Sequence, residues 1–526
     1  MQKYTGMKYF NVAGPCIEGE HYMLDAIERL HNELTELINS KQYFVIHAAR
    51  QTGKTTLLIN LTKKINKEGK SYAVYCSLEN AYTEREAKDG IKSIVFSLRL
   101  AFNGFSMPEF FSLDETTYIE SNYSNVLQDF LTRYSAKLDK PLILLLDEAD
   151  CLSEGTLLSF LRQLRNGYVN RSMQPFPASV ALVGMRNLRD YKAKVRENQA
   201  TLGTASPFNI ITSSLTLRNF TKEEVRKLYR QHTDETGQVF KDDAVELAFE
   251  QTQGQPWLVN AIAREIIIEQ LKKDFSIPIT AEMVSEAIQT IILRRDVHID
   301  QLLDKLKEPR VQKIIEPMML GEENCIDRNS DDFNYVKDLG LIRINGGAVT
   351  PANPIYGEVI VRTLNYNEQM SLTEKSEYQM PKYYKNSRID MNLLLQDFQS
   401  FWRENSAIWV ERFQYKEAAP HLILMAFLQR VINGGGNVIR EFASERGRLD
   451  LCVDYNDKRY PIEIKIFRGQ KTIDQGIEQT LQYMNSLACT NGWLVVFDRD
   501  REKSWDEKIY QKTEKSGNKT VHIFGC

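Results

Sequence analysis

The sequence predicts an α/β protein: a parallel sheet with helices on both faces, a helical segment, a helix–helix–hairpin unit and a second α/β domain. Three observations carry this. Short apolar strands alternate with amphipathic helices between residues 24 and 184, the pattern of a sheet covered on both sides. The strand signal fades after Leu217 and returns in force only beyond residue 390. A chain of 526 residues also has length for roughly three to four cores, at about 150 residues per domain.

Taken in order, Leu24, Ile27, Leu30, Leu34, Leu37 and Ile38 recur at intervals of three and four, the stripe of a helix over 24–39. Residues 43–48 read as a strand, a helix opens near Thr55, 72–77 is a strand, and a helical region extends to about Phe102. The runs 142–146 and 179–184 are further strands, and ligands of such a sheet sit at the strand C-termini. Helical periodicity over 221–229, 243–251 and 257–271 describes a lid. Helices at 311–320 and 332–339, then strands 341–343 and 348–350 around Gly346-Gly347, follow the order of a winged helix. The polar stretch around Pro381 reads as a linker.

Beyond the linker, 393–402 and 422–432 are helical, the second entered at Pro420 and ended by Gly434-Gly435-Gly436. Strands 448–453 and 459–467 meet through Tyr455-Asn456-Asp457-Lys458, and a helix over 473–487 leads to a strand at 493–497. The expected domains are 1–215 for the first α/β unit, 216–295 for the lid, 296–365 for the winged helix, 366–389 for the linker and 390–526 for the second α/β unit.

Composition narrows the function classes. Hydrophobic residues make 42% of the chain, charged residues 26%, and the net charge is −3, which excludes a disordered tail protein or a polybasic coat. A nucleic-acid partner would have to be held by local basic surface. Seven Cys without a C-x-x-C pair exclude a disulfide framework and a zinc ribbon. The opening MQKYTGMKYFNVAGP has no apolar signal core, and no run approaches the ~18 apolar residues of a membrane span. The expectation is a soluble cytoplasmic protein with no membrane partner.

The strand at 43–48 runs into Ala48-Ala49-Arg50-Gln51-Thr52-Gly53-Lys54-Thr55 and then a helix, a phosphate-binding loop in which Ala48 replaces the first Gly. Backbone N–H groups from Ala49 to Thr56 would cradle phosphates, Lys54 would add a point charge, and the Thr55 hydroxyl would ligate Mg²⁺. The apolar strand 142–146 ends in Asp147-Glu148. Asp147 would hold Mg²⁺ and Glu148 would polarise the attacking water.

On these motifs, residues 1 to about 290 resemble an AAA+ or STAND-type P-loop ATPase. The resemblance implies ATP as cofactor, a γ-phosphate sensor at Arg186 or Asn187, and a lid in which Pro256 of Gly254-Gln255-Pro256-Trp257 lies near the base. Arg186, Arg189 and Arg218 are candidate arginine fingers. In this family a winged helix binds DNA or relays the nucleotide state.

The C-terminal domain carries a second constellation. Asp450 closes one strand, and Glu463-Ile464-Lys465 follows on the next. Glu463 and Lys465, two apart, share a face while Ile462, Ile464 and Ile466 take the other. A carboxylate and an ammonium on a half-buried strand are costly unless they serve a site or pair with each other. Asp450, Glu463 and the Ile464 carbonyl offer oxygen ligands suited to Mg²⁺, with Lys465 orienting or deprotonating the nucleophile. That is phosphodiester hydrolysis chemistry.

The arrangement resembles the PD-(D/E)XK nuclease superfamily over about 390–500, which implies a restriction-endonuclease-like fold. Gln479 and Tyr483 match the Q-x-x-x-Y of its RecB-like branch, Glu417 would be the helical acid ligand with Glu441 or Glu445 as substitutes, and Leu449 stands where the family has Pro. Arg440, Arg446, Arg448, Lys458, Arg459, Lys465, Arg468 and Lys471 supply phosphate-contacting charge.

The combined expectation is an ATP-gated, Mg²⁺-dependent nuclease acting on DNA, with Mn²⁺ as an alternative metal, and with a homo-oligomer and a regulatory protein as further partners. Defence or mobile-element processing would suit it. The alternatives are a STAND-like sensor with a silent nuclease fold and a DNA translocase or loader whose nuclease is incidental.

Overall fold

The computed structural model describes residues 6–30, 33–104, 122–185, 207–294, 299, 302, 304–320, 326–360, 383–385, 388–412, 420, 423–425, 427–428, 436–441, 450–455, 458–498, 500 and 502–526. They fall into two compact units, Met1–His298 with Asn334–Leu341, and Ile299–Phe333 with Ile342–Cys526.

The first unit is built on strands β1 (Tyr43–His47), β2 (Tyr72–Ser77), β3 (Leu142–Asp147), β4 (Ser179–Gly184) and β5 (Ile211–Thr216), in the order β2-β3-β4-β1-β5. Every neighbouring pair is parallel. All residues of β1, β3 and β4 are buried, which explains their near-continuous apolar sequences. Alternation then sends successive residues to opposite layers. Tyr43, Val45, Leu144 and Leu146 join Leu98, Phe102, Phe130 and Leu161 in one core. Phe44, Ile46, Ile143 and Leu145 join Leu57, Leu61 and Leu34 in the other.

Strands 72–77 and 179–184 coincide with their sequence expectation, and β1 ends one residue earlier, at His47. Strand β5 was not anticipated. Its sequence ITSSLT buries only Leu215, because an edge strand paired to β1 alone shows one apolar contact and little periodic signal. The helix expected over 24–39 is instead a 3₁₀ turn at Ile27–Leu30 and a helix at Glu33–Asn39.

The segment expected as a lid contains helices Lys222–Thr236, Asp242–Thr252, Pro256–Arg264 and Ala281–Arg294. The first is started by a capping box between Thr221 and Glu224. The single helix expected over 257–271 stops at Arg264 and continues as a π-turn, Glu265–Gln270. Between the second and third helices the chain turns through Gln253 (φ 48°) and Gly254 (φ 69°). A Cβ at Gly254 would overlap the Phe220 carbonyl oxygen, and the Phe220 N–H donates to the Gly254 carbonyl at 2.8 Å. Only glycine satisfies both demands.

Helices Pro309–Leu320 and Asp331–Asp338 precede an antiparallel hairpin of β6 (Ile342–Asn345) and β7 (Ala348–Pro351). A small pair, β8 (Tyr384–Lys385) and β9 (Arg388–Ile389), leads into helix Met391–Arg412. The C-terminal sheet comprises β10 (Gly436–Glu441), β11 (Asp450–Tyr455), β12 (Lys458–Ile466), β13 (Asn491–Phe497), β14 (Tyr510–Ser516) and β15 (Lys519–Gly525), in the order β10-β11-β12-β13-β15-β14. Strands β10 to β12 are antiparallel neighbours, β12, β13 and β15 are parallel, and β14 closes the edge antiparallel. Strands β10, β14 and β15 had no counterpart in the sequence reading, and Gly436 opens β10 rather than only ending a helix. No helix among the described residues is long and apolar enough to cross a membrane.

Two outcomes follow from this packing. Gly254→Ala is expected to destabilise the first unit by about 2 kcal/mol or more, through a forbidden φ and the clash with Phe220, read as a lowered denaturation midpoint. His47, 4% exposed, has its pKa pushed down to about 4, first by burial and then by the Lys337 and Lys54 charges. Its neutral form is favoured in the fold, so its contribution is intact above pH 6.5 and is lost as pH falls toward 4. Between pH 7 and 5 the wild type should lose about 2 kcal/mol that a His47→Gln variant does not, measured by urea denaturation at the two pH values.

Candidate functional site

The end of β1 passes through Ala48 and Ala49 into a loop with left-handed Gln51 (φ 56°) and Gly53 (φ 92°), and then into helix Lys54–Glu68. Gly53 has the backbone that lets the loop curl around an anion at the helix N-terminus. The Thr52 hydroxyl donates to the Ala49 carbonyl at 2.8 Å and holds the curl shut. Lys54 is 7% exposed and donates to the Ala48 and Ala49 carbonyls, each at 3.0 Å. Burial lowers its pKa, opposed by the negative charges of Glu148 and Asp147.

The Thr55 hydroxyl donates to Asp147 Oδ2 at 2.7 Å. Thr55 lies in the first turn of helix Lys54–Glu68 and Asp147 closes β3, two strands from β1 across β4, so the contact spans the C-terminal edge of the sheet. Tyr75 O–H reaches the same carboxylate oxygen at 3.4 Å, and the Glu148 N–H donates to Asp147 Oδ1 at 3.0 Å. Burial raises the pKa of Asp147, and burial with the Asp150 and Asp147 charges raises that of Glu148. Glu148 itself is left-handed (φ 56°). Two carboxylates and a hydroxyl converging beside a buried ammonium fit a magnesium–nucleotide complex by donor type.

Arg29, Asp150 and Cys16, which sequence motifs did not single out, complete the site together with Gln255 and Pro256 of the motif Gly254-Gln255-Pro256-Trp257. Arg29, 3% exposed, donates Nη1 to the Thr52 carbonyl at 2.7 Å and Nε to the Arg218 carbonyl at 2.9 Å. Its guanidinium lies 4.9 Å from the Phe220 ring centroid, and burial brings its pKa down to about 9. It therefore stays charged at neutral pH. Asp150 Oδ2 accepts from the Met185 N–H at 3.1 Å, tying the turn after β3 to the end of β4. Gln255 caps helix Pro256–Arg264 by accepting from Leu258 N at 2.6 Å, and its Nε2 reaches the Arg50 carbonyl at 3.4 Å. Pro256 is the buried first residue of that helix. The Cys16 N–H donates to the Thr56 hydroxyl at 3.0 Å.

Arg218, one of three finger candidates, forms a two-pronged pair with Glu224 at 2.6 and 2.8 Å. The Arg218 hydrogen bond holds the Glu224 carboxyl down at about 2, so this arginine is engaged within its own chain. Arg186, Asn187 and Arg189 lie outside the described residues.

In the C-terminal sheet, Glu463 and Lys465 lie on β12 and their side chains hydrogen-bond to each other. The Glu463 side chain is fully buried and that of Lys465 is 15% exposed. Both faces of this strand are covered, since Ile462 and Ile464 are buried as well. Register pairs Leu451 with Ile462 and Glu441 with Asp450, so Glu441, Asp450 and Glu463 fall on one transverse row of the sheet. Helix Gln470–Ser486 packs on β12 through Gly476, where a Cβ would lie 3.3 Å from Lys465 Cγ. Gln479 and Tyr483 follow Gly476 at helical spacing, and Gln479 Oε1 is buried with no hydrogen-bond partner among the described residues. Glu417 and Glu445 lie outside the described residues, as do the side chains of Asp450 and Glu441. Among the described residues no three His, Cys, Asp or Glu side chains cluster closely enough to hold a metal.

The phosphate-type loop, the acid-tipped strand β3 and the parallel sheet between them define a P-loop ATPase-like domain. The AAA-like domain family matches residues 27–361, more than half of the chain, and the protein belongs to that family. Among solved structures, the chain is similar to a Walker-type ATPase of Pyrococcus abyssi at 14% identity and a TM-score of 0.47, covering 67% of this chain and 99% of that one. It is also similar to the RuvB Holliday junction branch migration motor of Thermotoga maritima, at 13% identity and a TM-score of 0.34, covering 63% and 94%. A third is Cdc6p from Pyrobaculum aerophilum, at 16% identity and a TM-score of 0.34, covering 65% and 94%. No curated protein matches the chain.

The Arg29 fork makes a specific outcome expected. Arg29→Ala leaves the Thr52 and Arg218 carbonyls without their buried donor and should cost about 3 kcal/mol or more. Arg29→Lys should recover less than half of that, because an ammonium cannot serve both carbonyls with a planar fork. Denaturation midpoints of the two variants check this.

Proposed function

We propose that this protein binds and hydrolyses ATP and that the nucleotide gates a Mg²⁺-dependent nuclease in residues 390–526. The ATPase reading rests on one observation, the meeting of the Thr55 hydroxyl and the Asp147 carboxylate at 2.7 Å beside buried Lys54. Lys54 would exchange its two loop carbonyls for phosphate oxygens. Thr55 and Asp147 would hold Mg²⁺, which supplies neutralisation of the phosphate charge. Glu148 then orients the attacking water and accepts its proton. Its carboxyl must be ionised for this, and its raised pKa predicts that ATP turnover falls on the acid side at a higher pH than an ordinary glutamate would give.

The nuclease reading is supported by the buried Glu463–Lys465 pair and its row-mate Asp450. Asp450, Glu463 and the Ile464 carbonyl would hold Mg²⁺ or Mn²⁺, with Glu417 or Glu441 as a further acid, and the metal supplies activation of water. Lys465 orients or deprotonates that water, and Gln479 and Tyr483 position the DNA strand. The domain division at 215, 295, 365 and 389, with a winged helix over 296–365, belongs to this reading. DNA is the substrate, and assembly into a homo-oligomer or with a regulatory protein would suit an ATP-gated cutter used in defence or mobile-element processing.

A second reading has its own observation in favour. Glu463 and Lys465 satisfy each other's charge within the sheet, as in a silent nuclease fold kept as a DNA-binding part of an ATP-dependent sensor. Cleavage of plasmid and linear DNA with Mg²⁺, with and without ATP, separates the two. Wild type should cut; Lys465→Ala should lose at least about 100-fold in rate, and Lys54→Ala should lose the response to ATP. DNA binding by wild type without cutting under any nucleotide would leave the sensor.

A further inference from the structure

A cavity of about 270 Å³ opens in the first unit between the N-terminal segment and the segment from His232 to Phe275. It is separate from the nucleotide site. Helix Pro256–Arg264 spans the distance: its start lies beside the loop through Gln255, and Arg264, eight residues further along, borders the cavity. Eight residues of helix amount to about 12 Å.

The walls are aromatic. Phe10 and Tyr22 stand with ring centroids 4.8 Å apart, and His232 packs against Phe10 at 5.8 Å and Phe275 at 5.7 Å. The Tyr22 hydroxyl and the Gln238 amide oxygen occupy the two ring nitrogens of His232, at 3.2 and 2.9 Å, so the imidazole presents a ring rather than a polar atom. Tyr9, 38% exposed, stands at the mouth. The segment carrying Tyr9 and Phe10 is held in place by backbone bonds from Tyr9 N to Glu20 O at 3.2 Å and Tyr22 N to Tyr9 O at 3.1 Å.

The rim is cationic. Lys8, Arg264 and Lys273 border the cavity, and against them stands the Glu235 carboxylate, which accepts from the Lys8 N–H at 3.3 Å and from the Tyr22 hydroxyl. Among the described residues none of the three is in an ion pair, whereas their neighbours Glu265 and Glu269 are paired away, with Arg294 at 2.8 Å and Lys272 at 3.1 Å. The backbone is shaped to this end. The π-turn Glu265–Gln270 brings Ile267 and Ile268 to the wall, and π-turns of this kind recur at functional sites. Lys272 (φ 48°) and Lys273 (φ 65°) are consecutive left-handed residues, a conformation that costs a non-glycine side chain energy and that concentrates at ligand clamps.

We infer that this cavity is a second ligand site, for a small organic anion built on a single aromatic ring system. The three cations outnumber the Glu235 carboxylate and select negative charge, and the aromatic walls select a flat apolar body over hydrated inorganic phosphate. The volume lies below the ~300–1,000 Å³ of pockets for drug-sized ligands, which excludes a dinucleotide or a folded peptide. The shared chemistry has two sources, an aromatic carboxylate or a mononucleotide.

The test uses the full chain carrying Lys54→Ala, so that the P-loop contributes little, and titrates it calorimetrically with indole-3-carboxylate, with AMP and with neutral indole. One or both anions should bind one per chain, at least about tenfold more tightly than indole. Adding Arg264→Gln should weaken that binding by about tenfold or more, and the rim pair Lys8→Gln/Lys273→Gln, which touches no core packing, should do the same with an unchanged melting temperature. Binding of the carboxylate alone identifies that source, and binding of AMP alone identifies the mononucleotide. Binding of neither anion, or binding that indole matches or that the rim pair leaves unchanged, overturns the proposal.

Discussion

Burying a lysine ammonium beside two acid groups at the edge of a parallel sheet is the constraint to which the first unit is built. Neither charge is tolerable alone in that place. Lys54 is satisfied by two loop carbonyls and Asp147 by Thr55, Tyr75 and the Glu148 amide. Each partner requires a particular backbone: a left-handed Gly53 for the loop, a left-handed Glu148 for the turn after β3, and a helix beginning at the residue where the loop ends. The Arg29 fork extends the same logic outward, joining the loop to the end of β5 and, through Arg218 and Glu224, to helix Lys222–Thr236.

The parts legible in the sequence were those in which one residue type serves one purpose. The runs YFVIH and LILLLD announce buried parallel strands because both faces are covered, and Gly-Lys-Thr following a strand announces an anion loop. The contacts of Arg29, Asp150 and Gln255 were not legible, because each residue acts on a backbone carbonyl or amide far away in sequence: Arg29 on Thr52 and Arg218, Asp150 on Met185, Gln255 on Arg50. No local spacing encodes such a contact. Strand β5 escaped for a related reason, since the hydroxyls of one face, Ser214 and Thr216, serve His47 at 3.2 and 3.0 Å, and its other face buries only Leu215.

In the C-terminal sheet the alternation argument placed Glu463 and Lys465 on one face, and their side chains do meet. What it did not foresee is the burial of that face. Helix Gln470–Ser486 covers it, admitted by Gly476 against Leu494 and Lys465, and a core of Ile473, Met484, Leu494, Val496, Val521 and Ile523 fixes the helix there. Strand β15 and the edge strand β14 contribute to this core although YQKTEKS reads as exposed loop, because β14 lends only its backbone ladder and Tyr510.

The sheet order has a consequence for how the chain comes to life. Strand β1 leaves the ribosome before β4 and β5, yet these are its two partners in the finished sheet. Tyr43 pairs with Val180 and with Ile211, 137 and 168 positions later. Until those segments emerge, an aromatic and β-branched strand stands with both hydrogen-bonding edges open, a state prone to mispairing. The nucleotide loop is then shaped only after the second half of the sheet has been made.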